Sequence, residues 1–149
     1  MEFRAFSYCH LAALRLQQAQ DYLQPVIETP SYGLALEVPG LAYSGVIDGQ
    51  VVGCAGILPQ APWRAIAWAL LSQEIPARCW PTIHRLVLRV LDEAHLRGYH
   101  RVEAVVDADF DAGIRWAEML GMRCETPQGM RGWGPEGGTH LMFSSVRIE

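Results

Sequence analysis

The chain contains no lysine and no asparagine, and all twelve of its basic residues are arginine. Without lysine it can neither form a Schiff base nor complete a P-loop phosphate site. Acidic residues number sixteen, for a net charge of −4. No block of one sign occurs and no basic face is expected, which argues against a nucleic-acid partner. The longest unbroken apolar run, residues 65–71, is far short of the roughly 20 residues that cross a bilayer. The opening Met1-Glu2-Phe3-Arg4 lacks a basic segment followed by an apolar one, so no secretory leader is expected and the protein is assigned to the cytoplasm. Cys9, Cys54, Cys79 and Cys124 include no C-x-x-C pair. They are expected to be free thiols in a reducing compartment rather than a disulfide framework.

What is present suffices for a core. Half of the 149 residues are hydrophobic. A chain of this length buries roughly 68–70% of its unfolded surface, so residues 1–149 are expected to form one domain without a disulfide or metal staple. Residues 2–7 alternate and predict a first strand. Residues 10–23, with Leu11, Leu14 and Leu16, predict an amphipathic helix, and residues 31–39 are ambiguous.

Two β-rich runs, 41–47 and 50–57, flank Asp48-Gly49. This predicts a hairpin with a type I′ turn, which needs positive φ at both central residues. Residues 65–71 predict a third strand covered on both faces. The period then changes. From Pro81, the residues Ile83, Val87, Val90, Leu91 and Ala94 lie on one helical face, with Gly98 as the residue after the C-cap. A strand is expected over 101–106, a short helix over 112–120 closed by Gly121, and two closing strands over 122–125 and 141–148. The glycine-rich stretch 127–138 separates those last two. The fold class is α/β (α+β): a mixed central sheet containing an antiparallel meander, flanked by helices.

This order, together with Asp107-Ala108-Asp109-Phe110-Asp111 leading to Met119-Leu120-Gly121-Met122, resembles the GCN5-related N-acetyltransferase (GNAT) family. The Ile47-Asp48-Gly49-Gln50-Val51-Val52-Gly53 hairpin is similar to that family's second and third strands. More narrowly, residues 66–71, the helix from Pro81 and residues 106–116 resemble a phage- and prophage-encoded GNAT-like group that includes internal virion proteins of short-tailed phages. The resemblance covers residues 41–147. It implies that acetyl-CoA lies where two parallel strands splay apart, its pyrophosphate against amides at the start of the long helix, and that an amine acceptor attacks the thioester. It further implies Glu74 as general base, with Arg78, Thr82, Ile83 and Arg85 holding the coenzyme. The virion group implies the alternative of a non-catalytic interaction protein, located in the virion and contacting other virion proteins.

The chain departs from the family pattern at three places. Residues 73–84 contain no glycine but include Pro76 and Pro81, which remove two N–H donors. Ala117 stands where many members carry a tyrosine acid, and Phe110 where an asparagine often opens the helix.

Other constellations read as structural. Asp107, Asp109 and Asp111 have calcium-loop spacing, but helix capping and dipole complementarity account for them. The histidines are dispersed, with no zinc spacing among them. Trp133, between two glycines, is expected to be exposed on a mobile connection and to border an acceptor site. The remaining tryptophans are expected to pack in the core or at sheet edges.

Overall fold

The computed structural model describes residues 1–148. Seven strands form one sheet in the order β1-β2-β3-β4-β5-β7-β6. They are β1 (Glu2–Ala5), β2 (Ala42–Ile47), β3 (Gln50–Ala61), β4 (Arg64–Leu71), β5 (Arg101–Asp107), β6 (Arg123–Cys124) and β7 (His140–Val146). The helices are α1 (Gln24–Ile27), α2 (Pro30–Leu36), α3 (Trp80–Leu96) and α4 (Asp111–Met119). Every pairing is antiparallel except β4 with β5, the two strands that α3 joins by a crossover.

The local signals behave as their chemistry requires. Asp48 and Gly49 both take positive φ, 49° and 78°, and close the β2–β3 hairpin. Gly98 and Gly121 follow the C-caps of α3 and α4 with φ of 103° and 83°. The ambiguous segment contains α2, with Pro30 in its first turn.

The helix expected over residues 10–23 is corrected. The segment forms two 3₁₀ turns, Tyr8–Ala13 and Gln18–Leu23. Between them the chain is extended and Leu16 pairs with Ser72. Leu11, Leu14 and Leu16 are all buried. On one α-helix, Leu14 and Leu16 would stand about 200° apart, so only a break lets all three face the sheet. The closing strands are also shorter than expected: β6 keeps only Arg123–Cys124, and β7 starts one residue early, at His140, but ends at Val146.

The core divides between the sheet's two faces. On one, Phe6, Leu11, Leu14, Cys54 and Leu70 pack beneath the N-terminal segment. On the other, Ala65, Val90, Ala94 and Val102 pack under α3, and Ala117, Met122 and Phe143 under α4. Alternation along β4 follows this division: Ala65 and Ala67 face α3, whereas Trp68 and Leu70 face the N-terminal segment. All four cysteines are free, with Cys54 and Cys79 buried. Among the described residues, no helix is long and apolar enough to cross a membrane.

Candidate functional site

The β4–β5 ladder is three pairs long: Arg64↔Arg101, Ala65↔Val102 and Ile66↔Glu103. Beyond it both strands continue, to Leu71 and Asp107, and no longer pair with each other. This is the V-shaped parting that the resemblance implies. It opens into a cleft of about 810 Å³, lined on one side by α3 and α4 and on the other by the N-terminal segment.

On the helical wall stand Trp80, His84, Arg85, Arg115 and Trp116. The Trp80 and Trp116 rings meet edge-to-face at 5.9 Å, and the Trp116 indole N–H donates to His84 Nδ1 at 3.2 Å. Both tryptophans flank the cleft and leave it open. Just ahead of α3, few amides are free for an anion. The N–H groups of Cys79 and Trp80 bond Pro76 O and Ala77 O, and Pro81 has none. What this end of the helix offers an anion is therefore mainly charge: Arg78 and Arg85 are exposed, and the helix dipole adds to them.

The opposite wall carries Tyr22, Tyr32, Trp68 and Asp107. Val102, Ala104 and Val106 of β5 pack toward α3 and α4, so Asp107 emerges on the N-terminal face by alternation. Its cross-strand partner is His140. Ala108 N–H bonds Thr139 O, and His140 exchanges both backbone bonds with Met130. Asp107 and His140 are thus a non-hydrogen-bonded pair, whose side chains lie closest. The Tyr22 ring meets that of His140 edge-on at 6.3 Å. Burial pushes the Tyr22 phenol above its ordinary value, and the Asp107 charge pushes it further. Burial raises Tyr32 as well. Both stay neutral donors at pH 7. His140 is buried and its Nδ1 has no partner, and the same holds for Trp68 Nε1.

The parted edge of β4 is partly covered. Ser72 N–H bonds Val52 O on β3, so by alternation the backbone groups of Leu71 and Ala69 turn toward the gap. The Gln20 carboxamide donates to Ala69 O at 2.6 Å and accepts from Leu71 N–H at 3.1 Å. Gln17 N–H takes Leu71 O at 2.9 Å. One side-chain amide thus imitates a neighbouring strand where β5 has turned away.

Of the residues nominated from sequence, Arg85 lines the cleft and offers a weak 3.5 Å bond to Thr82 Oγ1. Thr82 is half-buried in the first turn of α3, and Ile83 is buried beside it. Arg78 is exposed in the preceding 3₁₀ turn. Glu74 is exposed on the loop after β4, its N–H bonded to Ser72 Oγ, and it is not among the lining residues. The expected capping role of the acids takes another form. Asp107 Oδ1 accepts from Asp109 N–H at 2.9 Å, Asp111 lies in the first turn of α4, and the cap itself is Phe110 with no side-chain bond. Trp133 is exposed, as expected. Trp80 and Trp116 line the cleft, and Trp63 is exposed.

Sequence reasoning missed the N-terminal wall. Tyr22, Tyr32 and Gln20 belong to a segment with no motif, and His140 is 33 positions from Asp107. One signal was available: Asp107 ends a strand in a parallel pair, the end at which open α/β sheets build sites.

No protein-family model matches the chain, and no curated protein sequence matches it. Many solved structures do. Ard1 from Thermoplasma volcanium superposes with a TM-score of 0.77 at 16% identity, covering 99% of this chain and 98% of that one. The protein yncA from Salmonella typhimurium, solved with its cofactor acetyl-CoA, gives 0.73 at 17%, covering 100% and 95%. A GNAT-family acetyltransferase from Bacillus anthracis gives 0.70 at 13%, covering 97% and 93%. At such identities the likeness is one of fold. The chain has the GNAT fold along its whole described length, including the N-terminal segment that the sequence resemblance did not reach.

Proposed function

We propose that the protein is an acyl-CoA-dependent N-acyltransferase, with acetyl-CoA its candidate acyl donor. One observation carries this reading: the parallel pair parts after Ile66 and Glu103 into a cleft reaching both faces of the sheet, with its cations on one wall and its acid on the other. Space and charge both suit the coenzyme. Arg78 and Arg85 would hold its phosphates with the first turn of α3 at Thr82 and Ile83, by charge and dipole more than by amides. When bound, the coenzyme supplies an acyl thioester.

The chain's own part is to position an amine and receive its proton. Neither Glu74 nor His140 lines the cleft, but His140 is the cross-strand partner of Asp107, which does, so this reading moves proton acceptance from Glu74 to His140 behind Asp107. The His140 Nδ1 has no partner, as a general base requires. Titration calorimetry with acetyl-CoA is the test. Micromolar binding that weakens about tenfold in Arg78→Ala is expected. No heat at about 1 mM coenzyme from folded protein overturns the proposal.

A second reading is favoured by the spent amides ahead of α3: a phage-related interaction or virion protein that keeps the fold without using coenzyme. The same titration decides between them, since intact folding with no binding is its expected outcome.

A further inference from the structure

Among the described residues, only three charged side chains line the cleft: Arg85, Arg115 and Asp107. The arginines stand on α3 and α4, and Asp107 faces the other way. Among the described residues Asp107 has no ion-pair partner; the one hydrogen bond to its carboxylate comes from Asp109 N–H. A half-buried carboxylate without a cation is electrostatically unfinished. The cleft it lines also carries the rings of Tyr22, Tyr32 and Trp68, whose faces attract cations, and Tyr22 is near enough to feel the Asp107 charge. Next to it lies His140, buried, with Nδ1 unpartnered. An anion entering here would meet Asp107 and no compensating charge.

We propose that this wall is a selective site for a primary amine carried on an aromatic or similarly apolar body, with the Asp107 carboxylate holding the ammonium and Tyr22, Tyr32 and Trp68 enclosing the body. It deepens the transferase reading by naming the acceptor class, yet the binding itself needs no coenzyme.

The test uses coenzyme-free protein and two probes of similar shape and opposite charge, phenethylamine and 3-phenylpropionate, followed by titration calorimetry or amide chemical shifts. Saturable phenethylamine binding is expected, with none for the acid. Asp107→Asn keeps the oxygen that accepts from Asp109 N–H, so the turn survives, and should weaken phenethylamine about tenfold. Tyr22→Leu, at an exposed position, should weaken it about threefold and decides the matter if the first variant fails to fold. Equal binding of acid and amine, no saturation by about 10 mM phenethylamine, or indifference of the amine to both variants overturns the inference. Acetyl-CoA titrated into the same proteins separates the two claims. Coenzyme binding without amine binding sinks this inference alone, and amine binding without coenzyme binding sinks the transferase reading alone.

Discussion

The two ends of the β4–β5 pair are made of different chemistry. At the closed end, Glu103 is only 6% exposed and accepts from Arg64 at 3.0 Å and Arg101 at 3.1 Å. Arg101 also grips Glu125 through two nitrogens, at 2.8 and 2.6 Å, and Glu125 accepts from Ser144 Oγ at 2.6 Å. Three strands, β4, β5 and β7, are thereby tied together across the parallel junction, with Glu125 just past the end of β6. At the open end, among the described residues, no charge pair crosses the gap. Small and aromatic side chains line it, and a glutamine covers the bare edge of β4. A sheet can keep a permanent opening when one end of the pair is locked and the other has its backbone groups satisfied from elsewhere.

The strongest way to break that contrast is to unlock the closed end. Arg101→Ala leaves Glu103 with only the half-exposed Arg64 and strips Glu125 of its bidentate partner. A loss of about 2–3 kcal/mol is expected from charged hydrogen bonds of this kind, read by urea unfolding. A loss below about 0.5 kcal/mol, the scale of ordinary surface changes, would mean that the network does not hold the junction.

A smaller effect is expected at the open end. Gln20→Ala removes two hydrogen bonds to the edge of β4, worth about 1–2 kcal/mol together. The same variant sharpens the functional side: a ligand that pairs with Ala69 O and Leu71 N–H must displace Gln20, so it should bind the variant more tightly than the parent. Unchanged acetyl-CoA affinity would show that the coenzyme leaves Gln20 in place.

The smallest effect concerns acid. The Arg101 hydrogen bonds, then that from Ser144, hold the Glu125 carboxyl down at about 2 against an ordinary 4.5. A carboxylate lowered on folding stabilises the protein fully above its unfolded value. That stability is lost as pH falls from about 4.5 toward 2. Glu125 is more than a third exposed, so salt should shrink the effect. Urea midpoints across that window should fall more steeply for the parent than for Glu125→Gln; parallel slopes would remove Glu125 from the explanation.

The sheet and its helices were legible where a residue's own backbone demands settled the matter. Asp48-Gly49 specifies a turn whatever surrounds it, and Gly98 and Gly121 end helices through φ values that other residues resist. The N-terminal segment was misread because Leu11, Leu14 and Leu16 answer to the sheet beneath them rather than to a helical period. The N-terminal wall of the cleft was unreadable for a related reason. Asp107 looked like a capping residue until β7 brought His140 alongside it, and Tyr22 had no visible role until the 3₁₀ turn laid it over that pair.

The sequence by itself determined the hairpin, the approximate boundaries of α3 and α4, the two N–H donors lost to Pro76 and Pro81 and the all-arginine stock of cations, because these depend on residue types and near neighbours. Only the tertiary structure decided where β4 and β5 part, which side of the gap each charge occupies and that Gln20 covers the bare edge. Those features depend on pairing register between distant segments, and register is set by burial across the whole sheet rather than by any one stretch of chain.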